Sequence, residues 1–146
     1  MTYSHVSGNS ARAGGGLRLD DGEREIMKQH TTAGARLFSE QYSEFDEASA
    51  VVALNHHEKW DGTGYPQGLS GAAIPLAARI VQVADVYDAL RSARPYKPAF
   101  SHEKTREILS QGDARLNPRD HFDPAILALF ARKHAAFAAI WDRLHD

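Results

Sequence analysis

The chain places two adjacent histidines, His56 and His57, in its chemically densest stretch, residues 54–69. The same stretch carries two acids, a lysine, a tryptophan and several glycines. Imidazole nitrogens bind transition metals, and glycines let backbone approach a ligand closely. Adjacent helical residues point about 100° apart, so both histidines reach one ion only if it lies beyond the helix end or between their directions. We consider a metal site here, with histidines that merely stabilise a helix C-terminus as the alternative.

Two further residues, His30 and Asp85, flank this stretch in sequence and extend the candidate site. His30 falls on the apolar stripe of a predicted first helix, where a buried histidine with one hydrogen bond is the ordinary alternative to a metal ligand. Asp85 lies in a predicted helix that is apolar over most of its circumference, and a carboxylate rarely occupies such surroundings without a partner or a metal. The alternative for Asp85 is an ion pair with Arg79 or Arg91. Three histidines and an aspartate make a nitrogen and oxygen site that suits iron, manganese, nickel or zinc.

Three cations, Arg91, Arg94 and Lys97, follow the Asp85 helix in a proline-restricted segment. They could be solvated charges, or they could contact an anion, since arginine and lysine suit phosphate. A bound metal can also polarise a phosphoryl oxygen. Cations beside a metal site therefore indicate a phosphoester substrate.

The composition is that of one globular domain. The chain has 146 residues, of which 42% are hydrophobic and 25% charged, and its net charge is −2. This length allows a compact domain with its own core. Without a membrane-spanning apolar run, a leader pattern or a cysteine, no membrane association is predicted and the cytoplasm is the default compartment. The net charge argues against a protein that coats nucleic acid, so no DNA partner is expected, but it allows a small anionic ligand.

Apolar residues at helical spacing predict an all-α fold without a strand pair. The stripe of the first helix, with Ile26 and Leu37, is predicted to face the core, and His134 of the last helix is expected to lack a histidine or acid partner. Residues 1–18 are rich in small polar residues and are predicted to form a flexible arm before a helical domain over residues 19–146. The predicted helices cover residues 21–40, 46–57, 75–91, 101–111 and 123–144, with a loop over 58–75 and an irregular segment over 112–122.

Five stretches of the chain form a recognisable set: Met27-Lys-Gln-His30, Asn55-His-His-Glu-Lys-Trp-Asp-Gly-Thr-Gly-Tyr-Pro66, Ile80-Val-Gln-Val-Ala-Asp-Val-Tyr-Asp-Ala-Leu90, Arg94-Pro-Tyr-Lys97 and His121-Phe-Asp-Pro124. In order and spacing these stretches resemble the HD-GYP family over about residues 19–130. Gly64-Tyr65-Pro66 is the stretch that gives the family half its name. Family members are helical, metal-dependent phosphodiesterases that hydrolyse the bacterial second messenger cyclic di-GMP. The resemblance therefore implies a helical HD-domain-like bundle and a role in signalling.

The resemblance implies a metal-binding role for four residues. It makes His30, His56 and His57 ligands of one divalent transition metal. It makes Asp85 a ligand of a neighbouring metal in the same cluster. Iron or manganese is the expected metal, with nickel or zinc as alternatives.

The resemblance also implies a substrate-binding surface. It assigns Arg94 and Lys97 to the phosphates of cyclic di-GMP or a related nucleotide. It places Gly64, Tyr65 and Pro66 in a loop beside the substrate, on a surface that the family also uses for signalling partners.

The chain departs from the family pattern at its defining His-Asp pair, which would fall at about Met1-Thr2. Without this bridging carboxylate we expect at most one metal per chain, and weak or no hydrolysis by the isolated chain. A non-catalytic module for nucleotide sensing or protein interaction is the alternative. Family helices that would pack on the central helix are also missing. We therefore expect exposed apolar surface that favours a homo-oligomer or a partner, unless the chain is a fragment of a longer gene product.

Overall fold

The computed structural model describes residues 20–38 and 43–145, and within these ranges the chain is helical without a β-strand. This confirms the predicted all-α class. The predicted arm over residues 1–18 lies outside the described ranges. One short 3-10 helix, Gly71–Ala73, precedes the central helix, and an isolated antiparallel bridge joins Arg94 and Lys97. The α-helices are α1 Asp21–Phe38, α2 Glu44–Asn55, α3 Leu76–Arg91, α4 His102–Gln111, α5 Pro118–His121 and α6 Pro124–His145.

Side-chain caps fix where several helices begin. Asp20 and Glu23 form a reciprocal capping box at the start of α1, because the Asp20 carboxylate accepts from the Glu23 amide and the Glu23 carboxylate accepts from the Asp20 amide. Ser43 and Ser101 cap α2 and α4 by single bonds, because each serine side chain accepts from the amide three residues on. The start of α4 confirms the predicted cap at Ser101, whereas α2 begins two residues earlier than predicted.

The end of α2 and the segment after α4 also differ from those predicted. Helix α2 ends at Asn55, so both site histidines follow the helix instead of lying within it. The segment predicted to be irregular contains α5, which Asn117 caps and Pro118 begins. A proline suits a first helical turn because its missing N–H would have no intrahelical partner there.

The hydrophobic core lies between α3, α4 and α6. Tyr87 of α3 contacts Phe130 and Phe137 of α6, with ring centroids 5.9 and 5.5 Å apart. Aromatic rings at such tilted and edge-on separations pack favourably. Five buried residues form the centre of this core: Val83, Tyr87, Leu109, Phe122 and Phe130.

The predicted buried stripe of α1 is wrong for the described residues. Ile26 is 64% exposed and Leu37 is 74% exposed, while Thr31 is the buried residue of this helix. His30 is exposed too, against its predicted place in the core. Helix α1 packs against α2, and α2 in turn packs against α3, so the cover of α1 comes mainly from α2. An apolar stripe predicts which face of a helix is suited to burial, but it does not identify the element that packs against that face.

The central helix is likewise open on one side. Leu76 and Ile80 of α3 are 54% and 47% exposed. The expectation that part of this helix would be exposed is therefore met within the described ranges. Within the described ranges, none of the helices combines the length and the apolar character that a membrane-spanning segment needs.

Candidate metal centre

Three imidazoles converge where α1 meets the C-terminal end of α2. One ring nitrogen from each of His30, His56 and His57 lies within 4.8 Å of the others. The ring centroids of His30 and His57 are 4.9 Å apart, and those of His56 and His57 are 4.1 Å apart. Three imidazoles so close together form a set of nitrogen donors of the kind that holds a transition metal.

The end of α2 explains how adjacent histidines reach one point. His56 is the C-cap of α2, with helical backbone angles, and His57 follows it outside the helix. The two rings therefore meet beyond the last turn, which is one of the two geometries that the sequence allows. Helix α1 brings His30 to the same point because it lies close to α2. A Cβ on Gly34 of α1 would lie only 3.3 Å from the Cβ of Ala53.

Backbone carbonyls fix the tautomers of two of these histidines. Nδ1 of His56 lies 3.0 Å from the carbonyl oxygens of Val52 and Ala53, and Nδ1 of His30 contacts the carbonyl oxygen of Met27. A carbonyl can only accept, so Nδ1 carries the proton and donates in both residues. The lone pair of each ring then resides on Nε2, the usual arrangement of a histidine that ligates a metal.

His57 is held in its neutral form. Burial, followed by the neighbouring charges of His56 and His30, lowers the pKa of His57 from 6.5 to about 3. A ligating imidazole must be unprotonated, so this environment suits metal binding at neutral pH. The donor set therefore fits the divalent metal that a site of this kind takes.

Asp85 lines the same cavity as the three histidines, which has a volume of about 710 Å³. Burial raises the pKa of Asp85, while the charges of His56 and Arg94 lower it. Arg79 and Arg91, the two cations considered as its ion-pair partners, bind Asp123 and Asp142 at 2.6 and 3.2 Å instead. Asp85 is not part of the compact three-histidine group, and its role as ligand of a neighbouring metal stays a prediction.

The loop after α2 lies directly against His57. The ring of Tyr65 stacks on the imidazole of His57, with centroids 5.0 Å apart and planes 21° from parallel. Gly64 makes this possible because a Cβ there would lie 2.3 Å from the amide nitrogen of Lys59. Tyr65 and Pro66 are joined by a cis peptide bond. The loop predicted to lie beside the substrate thus touches the histidine cluster.

Glu58 is a residue of this site that the sequence analysis did not single out. Its side chain is fully buried, and its carboxylate oxygens accept from the amides of Gln67 and Leu69 at 2.7 and 2.9 Å. Its own carbonyl accepts from the side-chain amide of Gln82 in α3. The signal in the sequence is weak, because an acid next to two histidines reads as another ligand or as a solvated charge.

The two predicted phosphate-binding cations lie beyond the C-terminal end of α3. The Lys97 amino group donates to the carbonyls of Ala89 and Leu90 at 3.3 and 3.1 Å and lies over the Phe100 ring. Burial lowers the pKa of Lys97. Arg94 is exposed, and its charge acts on Asp85. Lys97 thus satisfies a helix end, while Arg94 lies on the side of Asp85.

Comparisons with known proteins find similarity over most of the chain. A family model described as HD domain matches residues 14–126. A cyclic di-GMP phosphodiesterase of Vibrio cholerae is 47% identical over 88% of this chain and 26% of its own length. The cyclic di-GMP phosphodiesterase response regulator RpfG of Xanthomonas campestris is 44% identical over 84% of this chain and 31% of its own. A 3'3'-cGAMP-specific phosphodiesterase 1 of Vibrio cholerae is 53% identical over 63% and 21%. The chain spans less than a third of each relative.

Proposed function

Because the chain belongs to the HD domain family, we propose that it is a metal-dependent phosphodiesterase domain for a cyclic dinucleotide, with cyclic di-GMP as the first candidate substrate. Its motifs and its relatives support identification with the HD-GYP group. The observation that carries the proposal is the convergence of three imidazoles beside a cavity of about 710 Å³. That volume lies within the range of small-molecule sites.

One set of side chains in the site would bind the metal, and another set would bind the substrate phosphate. His30, His56 and His57 would hold one divalent ion, iron or manganese first and nickel or zinc as alternatives, with no more than one expected per chain. When bound, the ion supplies a Lewis acid for a phosphoryl oxygen and a water of lowered pKa. Arg94 would balance the charge of a substrate phosphate. The Lys97 amino group already donates to two carbonyls at the end of α3, so it would bind a phosphate only through its remaining N–H.

A non-catalytic module for nucleotide sensing or protein interaction is the second candidate. It is favoured by the donor set, because the compact group in the described residues contains three imidazoles and no carboxylate. A bridging carboxylate holds two metals at catalytic separation in enzymes of this kind. We accordingly expect weak or no turnover by this chain alone. A signalling partner at the Gly64-Tyr65-Pro66 loop, or a second copy at the exposed faces of α1 and α3, fits this candidate equally.

Metal content and turnover, measured on one sample, test the proposal. We expect purified wild type to retain up to one iron or manganese per chain by mass spectrometry, and His57→Ala to retain none while keeping its helix content. His145→Ala is the matched control, because His145 is exposed in the last turn of α6. Equal metal content in wild type and His57→Ala would refute the site.

Nucleotide binding separates the two candidates. Hydrolysis of cyclic di-GMP that is lost in His57→Ala supports the enzyme, whereas binding without hydrolysis supports the sensing module. We expect Arg94→Ala to weaken nucleotide binding and to leave metal content unchanged. An unchanged nucleotide affinity in that variant would remove Arg94 from the substrate site.

A further inference from the structure

We propose that Glu58 is a positioning residue that sets the orientation of the His57 imidazole by holding the loop that carries Tyr65. This inference rests on the metal site of the proposed function. The interaction it describes belongs to the chain itself and is present without a metal. It assigns a function to a buried acid that lies beside the three-histidine group.

The first step is the way Glu58 is satisfied. Its side chain is fully buried, and no salt bridge to Glu58 occurs within the described ranges. The negative charge is instead stabilised by two backbone amides, those of Gln67 and Leu69, one on each oxygen. Hydrogen bonds to an ionised acceptor are short and strong, and burying the charge without them would be costly. The carboxylate therefore fixes the path of the loop at two points.

The second step connects the loop to the imidazole. The amide of Tyr65 donates to the carbonyl of His57 at 3.2 Å, and the Tyr65 ring stacks on the His57 ring. The loop is thus held by His57 at one end and by Glu58 at the other. Gly64 lets the chain pass close to the backbone of residues 58 and 59, where a Cβ would lie within 2.5 Å of main-chain atoms. A displacement of the loop at Gln67 and Leu69 would therefore shift the backbone that presents the Tyr65 ring to the imidazole.

The third step anchors Glu58 itself. The side-chain amide of Gln82 donates to the Glu58 carbonyl, and both residues are buried. The backbone of Glu58 is therefore fixed to the central helix α3, and its carboxylate holds the loop in a fixed position relative to that helix. A histidine that ligates a metal needs a fixed ring orientation, and losing the groups that provide it typically costs roughly 10- to 100-fold in metal affinity.

Glu58→Gln is the first test, because the amide keeps the shape but offers only one acceptor oxygen to two backbone donors. In the metal-free chain we expect the NMR signals of the His57 ring protons to move, as the ring current of Tyr65 is lost. We expect affinity for Mn²⁺, measured by calorimetry, to fall about tenfold. Asp123→Asn is the matched control. Asp123 is another buried carboxylate, but it binds Arg79 and the Ala125 amide instead of the loop.

Each outcome decides the proposal. Unmoved His57 signals in Glu58→Gln, or an equal shift in Asp123→Asn, would overturn it. If wild type binds no Mn²⁺, the metal site of the proposed function fails, yet the ring-proton signals of the metal-free chain still test Glu58.

A second variant makes the test independent of how well Glu58→Gln folds. Tyr65→Ala leaves Glu58 intact and removes the stacked ring, so we expect the same loss of Mn²⁺ affinity, while Tyr65→Phe keeps the ring and should bind as wild type does. In the Tyr65→Ala background, Glu58→Gln should cause little further loss of Mn²⁺ affinity, because both changes remove the same interaction, the stacking of Tyr65 on His57. Additive losses would mean that Glu58 acts only on general stability, and would overturn the positioning role.

Discussion

Nε2 of His102 lies 3.0 Å from Nδ1 of His134, and the two imidazoles stack with centroids 5.2 Å apart. Sequence periodicity indicated no histidine partner for His134, and the structure supplies one in His102. The pair continues on both sides: Arg106 faces Nε2 of His134 at 3.4 Å, and the Tyr87 hydroxyl lies 2.9 Å from Nδ1 of His102. Because arginine can only donate, the consistent direction of donation runs from Arg106 to His134, then to His102 and to Tyr87.

This chain of hydrogen bonds predicts that acid destabilises the fold. Burial and then the charge of His134 lower the pKa of His102, with Arg91 and Arg106 acting in the same direction and Glu103 against it. The unfolded chain, whose histidine pKa is near 6.5, therefore binds the proton more tightly than the folded chain. The contribution of His102 to the unfolding free energy is fully present above that pH, and it is lost as the pH falls from 6.5 towards the lowered pKa.

Urea unfolding at about pH 7.5 and about pH 5 measures this effect. We expect His102→Gln to lose less unfolding free energy between the two pH values than wild type, because glutamine can bond to both neighbours without titrating. The lowered pKa values of His57 and His121, about 3 and about 4, contribute equally in both proteins. An equal loss in wild type and variant would contradict the prediction.

Gly64→Ala is expected to strain the loop. The new Cβ would lie 2.3 Å from the Lys59 amide nitrogen, so backbone must move, and overpacking of this kind costs about 2 kcal/mol of unfolding free energy. Gly22→Ala is the control, since its Cβ would meet only the Asp20 carboxylate at 3.3 Å in the first turn of α1. Chemical denaturation should show a loss at Gly64 and none at Gly22; similar values at both sites would argue against the close approach.

Lys97→Met separates a structural role of Lys97 from a phosphate role. Methionine keeps an apolar stem over Phe100 but cannot donate to the carbonyls of Ala89 and Leu90. We expect a loss of about 1 kcal/mol in unfolding free energy, as for a lost hydrogen bond to a charged group near a helix end. Unchanged stability together with weaker nucleotide binding would instead assign Lys97 to the substrate alone.

Arg79→Met should be among the most destabilising changes of a charged residue in the described part of the chain. Arg79 and Asp123 lie 2.6 Å apart with side chains 16% and 6% exposed, and the variant leaves the carboxylate uncompensated. Breaking a buried pair from one side costs about 3 kcal/mol. Lys104→Met breaks a half-exposed pair with Glu107 and should cost under about 0.5 kcal/mol. Calorimetric melting of both variants checks the difference.

The sequence predicted local features well because their causes are local. The cap at Ser101 and the central helix around Asp85 follow from turn chemistry and periodicity within one segment. The convergence of His30 with the two adjacent histidines was predicted in outline, since residue type and spacing restrict where imidazoles can meet.

What depends on contacts between distant segments could not be predicted in the same way. The His102 and His134 pair joins α4 to α6, and no periodicity within either helix encodes that encounter. Glu58 is buried only because a loop folds back over it to supply amides. Exposure of Ile26 depends on which element covers α1, a question of tertiary packing that the stripe leaves open.

The serial attachment of α1 to α2 and of α2 to α3 has a consequence for local unfolding. Helix α1 contributes Thr31 as its buried residue, so it should detach at a lower free energy than the core helices. An ion bound by His30 together with the histidines after α2 would link α1 to α2. By mass action, this binding would raise the free energy needed to detach α1 from α2. Native-state hydrogen exchange should then show α1 amides slowing as Mn²⁺ is added, with α4 amides unchanged. Availability of metal in the cell would thereby set how often this end of the domain opens.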